Sequence, residues 1–376
     1  MSAQQYHLVY TFTGFRTVGQ GWAPHAGLLN VNGTLYGTTY YGGNKLCPKG
    51  FGCGTVFSIT PSGAEVVLHI FAGPPDDGGG PAADLINVNG TLYGTTYQGG
   101  PHRKGTVFSI TPSGTETVLY SFGSTPNDGA NPVARLLDVN GTLYGTTPNG
   151  GASSYGTVFS VTTSGAETVL HSFQSNPKDG ASPQAPLVSV NGTLYGTTTA
   201  GGIGNEYYGT VFAITPSGSE AVLYTFGRNK GDGVSPFDGL VDVKGTLYGT
   251  TTASVIQSGQ RIGGTFYAIT TSGKETVLHT FGLGSDGANP MADLTDVKGT
   301  LYGTTYLGGS GGLGTVFAMT TSGKETVLHS FSDKTALHPG FAILAKLNGT
   351  LYGTTPQGSG NGHYGTASGV VYALTP

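Results

Sequence analysis

One phrase, Gly-Thr-Leu-Tyr-Gly-Thr-Thr, occurs seven times, beginning at Gly33, Gly90, Gly141, Gly192, Gly245, Gly299 and Gly349. Successive copies start 57, 51, 51, 53, 54 and 50 residues apart. Self-similarity at such a period marks a propeller or solenoid built from one supersecondary unit. A single unit cannot bury its own apolar face, so the repeat demands neighbours on both sides and argues for one domain across all 376 residues.

The unit from Pro132 to Phe173 shows what is repeated. "ARLLDV" has strand character, and the Asn140-Gly141 pair after it is the strongest short hairpin signal, because both residues must adopt positive φ. "TLYGTT" then forms a second strand, "GTVFSVT" a third and "ETVLHSF" a fourth, the last two joined by the tight turn "TTSG". The unit is therefore a four-stranded antiparallel meander. Its apolar runs alternate poorly, as expected of a sheet covered on both faces by other sheets.

The ends of the chain predict how the ring closes. Third strands begin at Gly54, Gly105, Gly156, Gly209, Gly264 and Gly314, with "GVVYALT" from Gly369 as the seventh. A fourth strand follows the first six but not the last, because the chain stops at Pro376. "YHLVYTF", Tyr6 to Phe12, has the fourth-strand pattern and supplies the missing piece. The expectation is an all-β, seven-bladed β-propeller of four-stranded antiparallel blades with 3+1 closure, the N-terminal strand completing the last blade. Blades are expected at about 24–71, 81–122, 132–173, 183–226, 236–281, 290–331 and 340–376, with 6–12 joining the seventh.

The unit "NGTLYGTT…GGxxxxGTVFxITPSGxExVLxxF" resembles the Gloeo-Verruco (GloVer) tandem repeat, and the resemblance covers essentially the whole chain. It implies a secreted or surface-anchored bacterial propeller with no agreed activity, and so an extracellular or periplasmic location. Read from the residues alone, Met-Ser-Ala-Gln-Gln passes directly into a strand at Tyr6 and leaves no room for a secretion signal. That leaves a cytoplasmic location as the alternative, or a leader trimmed away.

Composition removes several function classes. Glycine is abundant, at 67 residues, and only 10% of residues are charged, yet the glycines recur at fixed turns between apolar runs, which argues against disorder. A net charge of -4 without a Lys/Arg cluster lacks the footprint of a nucleic-acid binder. No apolar run approaches the roughly 18–20 residues of a membrane span. Cys47 and Cys53 share the loop "LCPKGFGCG", as a bridge that would suit an oxidising compartment or as two free thiols.

Function is expected on the rim that carries the long loops. The turns between strands one and two and between three and four are short and uniform. Those between strands two and three, and the linkers between blades, are long and variable and fall on the opposite rim. Five linkers carry Asp-Gly before a proline, at Asp77, Asp128, Asp179, Asp232 and Asp286. Asp capping a turn that Gly completes explains them, against a calcium or sugar site in each blade. The five Asn-Gly-Thr triplets likewise belong to hairpin turns rather than glycosylation.

Two linkers abandon the pattern. "TGFRTVGQGWAPHAGLL" holds Arg16, the single tryptophan Trp22, and His25; "SDKTALHPGFAILAKL" holds Lys334, His338 and Phe341; the loop of the last blade adds His363 and Tyr364. Closure makes these blades neighbours, which gathers cationic, aromatic and imidazole groups at one seam. Atypical packing of terminal repeats is the competing account. A second signal lies in the Pro-x-Ala-x-Leu segment entering strand one, whose alternate positions vary: Ala82 and Asp84, Val133 and Arg135, Met291 and Asp293. Strand parity sets them on one side, which brings Asp84, Arg135 and Asp293 to the channel mouth, either as ligand contacts or as solvated rim charge.

Three functions fit. The first is a binding module for a glycan or other small polar ligand, with Trp22, Asp84, Arg135, Asp293, His363 and Phe341 as contacts. The second is metal-free acid-base catalysis of polysaccharide lyase or isomerase type, with His25 or His338 as base, Tyr364 as proton donor and Arg16 neutralising a substrate carboxylate. The third is a structural or protein-interaction scaffold. No cofactor or metal ligand set is expected, and the chain is expected to be monomeric.

Overall fold

The computed structural model describes residues 5–13, 17–44, 47, 50–176, 178–202, 208–255, 261–282, 284–332, 336–339, 342–358 and 369–376. The molecule is an all-β, seven-bladed propeller of four-stranded antiparallel blades, the sixth extended by the linker strand Gly287–Pro290 paired on Thr300–Gly308. In the first blade the strands are Leu29–Val31, Thr34–Thr39, Thr55–Ile59 and Glu65–Ile70, paired in chain order. Among the described residues, no helix is long and apolar enough to cross a membrane.

Closure follows the expected 3+1 scheme. Gln5–Thr11 pairs antiparallel with Val370–Thr375, outside Thr350–Thr355 and Ala345–Leu347. Its register slips between Leu8 and Tyr10. The first six blades slip at the matching place, between Val56 and Phe57 in the first and between Val316 and Phe317 in the sixth. The closing strand thus copies the bulge of a fourth strand as well as its sequence. Phe12, at its end, is as buried as its counterparts Phe71, Phe122, Phe173, Phe226, Phe281 and Phe331.

The repeated phrase has a physical meaning at each position. Asn140 and Gly141 both take positive φ, 55° and 82°, which the two-residue hairpin requires. The second glycine opens space for the strand-three ring, since a Cβ on Gly37 would stand 2.7 Å from Phe57 Cζ. The two threonines that close the phrase bond in different directions. Thr146 Oγ1 donates to the Ala185 carbonyl of the next blade at 2.9 Å, while Thr147 Oγ1 lies 2.8 Å from Thr157 Oγ1 within its own blade. Apolar burial is likewise shared across seams. Val107 and Phe122 of one blade pack with Leu136, Leu143 and Phe159 of the next. The seam between the last and first blades is built the same way, from Phe12, Tyr352 and Val371 against Leu28, Leu35 and Phe57.

The linkers and the strand two–three loops share one rim and pair there. Gly129–Ala130 of a linker forms a two-residue ladder with Asn149–Gly150 of the following loop, and Gly21–Trp22 does so with Tyr41–Gly42. The Asp-Gly aspartates cap turns through the backbone. Asp77 accepts from Ala72 N at 2.7 Å and from Gly78 N at 2.6 Å, and Asp179 from Gln174 N at 2.9 Å and Gly180 N at 2.8 Å. Cys47 and Cys53 form a disulfide, both buried.

Candidate functional site

The segment entering strand one builds the site. Its constant alanines and leucines, such as Ala83 and Leu85 or Ala134 and Leu136, are buried against the blades. The alternate residues therefore point the other way, into the central channel. Together they line a funnel of about 380 Å³. His25, Asp84, Arg135 and Asp293 all line it, with Gln184, Phe237, Met291 and Ile343 from the equivalent positions of other blades. Tyr40, Tyr41 and Tyr97, at the start of two strand two–three loops, complete the wall.

The charged groups form a connected cluster. Arg135 Nε donates to Asp293 Oδ2 at 3.2 Å across the ring. Gly239 N donates to Asp293 Oδ1 at 2.6 Å, and Gly27 N donates to Asp84 Oδ1. Glycine at 239 permits that approach, because a Cβ there would lie 2.8 Å from Pro186 Cγ and 3.0 Å from Asp293 Oδ1. Burial and the neighbouring Asp293 carboxylate push the Asp84 carboxyl up to about 6, against the opposing pull of Arg135 and the Gly27 N–H. Burial pushes the His25 imidazole down to about 4, so it is neutral at pH 7. Its ring packs against Tyr40 at 5.0 Å.

Behind the funnel wall lies a buried acid. Asp238 occupies the position that is alanine in the other six repeats, is 2% exposed, and accepts from Thr250 Oγ1 through Oδ2. Its Oδ1 has no hydrogen-bond partner, nor does the hydroxyl of fully buried Tyr267, which stands where most blades carry phenylalanine. Burial, reinforced by Asp293 and opposed by the Thr250 hydroxyl, raises the Asp238 carboxyl well above the usual carboxylate range. The site therefore offers two carboxylates and one guanidinium, a neutral imidazole, a buried acid behind the wall whose carboxyl is raised by burial, and several aromatic faces.

The structure brings together four of the residues expected from sequence: His25, Asp84, Arg135 and Asp293. Trp22 is not among the funnel-lining residues; it is buried in the cluster that joins the last blade to the first, stacked on Tyr41 at 4.6 Å. His338 is not among the funnel-lining residues; its Nδ1 lies 2.8 Å from the Tyr306 carbonyl oxygen and its ring stacks on Tyr306. Arg16, Phe341, His363 and Tyr364 lie outside the described residues. Sequence reasoning passed over Tyr40, Tyr97, Gln184, Phe237 and Asp238. The alternation that selected Asp84 and Arg135 also selects Gln184 and Phe237, and Asp238 breaks a nearly constant alanine.

Solved propellers of similar fold share little sequence with the chain. PorZ, an essential bacterial surface component of the type-IX secretion system of Porphyromonas gingivalis, aligns with a TM-score of 0.55 at 14% identity, over 93% of this chain and 46% of its own. A puromycin hydrolase S511A mutant complexed with PGG gives 0.53 at 12%, over 91% and 51%. Trypanosoma rangeli sialidase in complex with the inhibitor DANA gives 0.50 at 12%, over 99% and 59%. The chain thus spans about half the length of these proteins. No curated protein matches it. The Gloeobacter/Verrucomicrobia repeat matches residues 47–262 and 208–376, and with most of the chain so covered, this protein belongs to the Gloeobacter/Verrucomicrobia repeat family.

Proposed function

We propose that the protein is a ligand-binding propeller whose central funnel recognises a glycan or another small polar molecule. The observation that carries this reading is the Asp84–Arg135–Asp293 cluster. At the equivalent positions the remaining blades carry Gly27, Pro186, Gly239 and Ile343, so the scaffold has no need of charge there. Carboxylates and a guanidinium bond sugar hydroxyls, and tyrosine faces offer stacking surfaces for the apolar side of a sugar ring. The sialidase, a propeller of similar fold, holds a small inhibitor. The disulfide fits an oxidising compartment, and we place the protein outside the cytoplasm, in keeping with the surface location of PorZ.

A catalytic reading draws support from one feature. Asp84 titrates near 6 while Asp293 is held by a guanidinium, and two carboxyl groups in unlike surroundings over one cavity suit proton transfer. His25, pushed down to about 4, is the weaker base at neutral pH.

A glycan array followed by calorimetry on the hits tests both readings. Arg135→Ala and Asp293→Asn are expected to weaken binding about tenfold or more while leaving the melting midpoint within a few degrees. If Asp84 transfers protons, the wild type converts a bound hit to product and Asp84→Asn binds it without turnover. Absence of any saccharide or polar ligand, or affinity indifferent to these substitutions, rejects the funnel as the site.

A further inference from the structure

The blade seams carry a second kind of site, on the outer strands and away from the funnel. The residue two before the buried phenylalanine of each fourth strand alternates between tyrosine and histidine: Tyr10, His69, Tyr120, His171, Tyr224, His279, and then His329. In five seams this side chain faces the Asp-Gly aspartate of its linker and a glutamate that opens the fourth strand of the next blade. Among the described residues, three such groups bring one ligand atom from each member within 4.8 Å of the others: His69, Asp77 and Glu116; His171, Asp179 and Glu220; His279, Asp286 and Glu325.

Distances separate the histidine seams from the tyrosine seams. Tyr120 donates to Asp128 Oδ2 at 2.7 Å and Tyr224 to Asp232 Oδ2 at 3.0 Å, ordinary hydrogen bonds. The imidazole Nε2 atoms stand farther from their carboxylates: His69 and His171 make long hydrogen bonds of 3.3 Å with Asp77 and Asp179, and His279 stands 3.4 Å from Asp286 and 3.6 Å from Glu325. A charge-assisted N–H···O⁻ bond measures about 2.7–2.9 Å. Two ligand atoms about 2.0–2.2 Å from one tetrahedral ion stand about 3.3–3.6 Å apart. His279 Nε2 is buried without a hydrogen-bond partner, as is Glu325 Oε1, whose side chain is 10% exposed. Glu116 and Glu220 each leave the same oxygen unbonded. The tyrosine-seam glutamates do too, so the marker of an ion is the loosely held imidazole, not the carboxylate alone.

We propose that these three histidine clusters are divalent transition-metal sites of zinc type, each stapling one blade to the next across alternate seams. One imidazole with two carboxylates suits a borderline metal. Calcium would want six to eight oxygens, and only three protein donors converge. Water fills the remaining position of each site. The seam between the sixth and seventh blades lacks such a site for a visible reason: Tyr6 stands where the glutamate should, and His329 stacks on it at 3.9 Å.

The tyrosine seams supply the control. Each histidine packs edge-on against the phenylalanine two residues on, His279 on Phe281 at 4.9 Å, just as Tyr224 does on Phe226 at 5.1 Å. A His→Tyr change therefore converts a metal seam into one the fold already uses. The full chain, stripped with EDTA and dialysed against zinc chloride, is expected to bind three zinc ions. His279→Tyr is expected to bind two, and His69→Tyr/His171→Tyr/His279→Tyr none, with melting in EDTA unchanged. Zinc is expected to raise the midpoint of the wild type, to raise that of His279→Tyr less and to leave the triple variant unmoved, and calcium chloride to leave all three unmoved. No bound zinc, or a stoichiometry that His→Tyr leaves unaltered, overturns the proposal.

Discussion

Asp238 is the residue least explained by the scaffold around it. In five of the other six blades the first residue of the closing Thr-Thr pair bonds a carbonyl of the following segment, as Thr146 reaches that of Ala185 and Thr354 that of Ala26. Thr250 turns back instead to the Asp238 carboxyl, and two buried polar atoms, Asp238 Oδ1 and the Tyr267 hydroxyl, go unbonded. An unsatisfied buried group costs about 1–3 kcal/mol. Asp238→Ala restores the repeat and frees Thr250 to bond across the seam. It is expected to stabilise the protein by about 1–3 kcal/mol in urea unfolding. A destabilised variant would show that the acid is held by partners outside this account. Which side chains meet in the funnel was legible where strand parity applied: Asp84, Arg135 and Asp293 sit at alternate positions beside invariant apolar ones. Parity gives no purchase on Tyr40 and Tyr97, which follow the constant Thr-Thr pair as each chain segment leaves its strand. Trp22 drew notice as the single tryptophan, yet a residue peculiar to one blade serves equally to pack that blade's own linker, and here it stacks on Tyr41.

At the level of elements, the seams between fourth strands make stability depend on pH. In the two tyrosine seams, burial first and the facing aspartate second, Asp128 or Asp232, push Glu167 and Glu275 up to about 7 from 4.5; hydrogen bonds with Tyr120 and Tyr224 oppose the shift. Between those values the folded chain keeps protons that the unfolded chain has released. Their contribution is fully present below about pH 4.5 and is lost as pH rises through 7. His25, whose imidazole is held down to about 4, acts oppositely and removes stability as pH falls from 6.5 towards 4. In EDTA, the urea midpoint is therefore expected to be higher at pH 5.5 than at pH 8. Glu167→Gln/Glu275→Gln, which mimics the protonated state, is expected to narrow that difference by gaining stability at pH 8. Equal midpoints for the wild type at both values would refute the assignment. The strands and turns of these seams were legible from one unit, because period-two runs and Asn-Gly turns are local signals. The seam clusters were not, since each draws on two blades and a linker. No contiguous spacing records the approach of His69 to Glu116.

For the molecule as a whole, the ring stands or falls with the strand that closes it. Residues 5–11 leave no free sheet edge on Val370–Thr375, and Phe12 joins the packing that binds the last blade to the first. Removing residues 1–12 would expose that edge, empty a fully buried phenylalanine site whose loss alone costs about 3–5 kcal/mol, and uncover Tyr372 and Phe331, which Tyr6 now touches. Apart from the Arg135–Asp293 pair across the channel, the blade sheets pack against their neighbours, so a weakened seam opens the ring at one place and lets unfolding spread from there. The truncated chain is expected to melt about 10 °C or more below the full chain, over a broader transition. The repeat also says how to repair it. In the first blade the third strand runs Thr60-Pro61-Ser62-Gly63-Ala64 into its fourth, and the chain stops at Thr375-Pro376. Appending Ser-Gly and then residues 5–12 after Pro376 rebuilds that turn and delivers Tyr6 and Phe12 to the places they already occupy, now by a hairpin within one blade. This rearranged chain is expected to regain a single sharp transition within a few degrees of the original, read by calorimetry. If the truncation melts like the full chain, the closing strand is dispensable and the ring is held by its other contacts. If the truncation is damaged but the rearrangement fails to mend it, the strand contributes something other than the completion of its sheet.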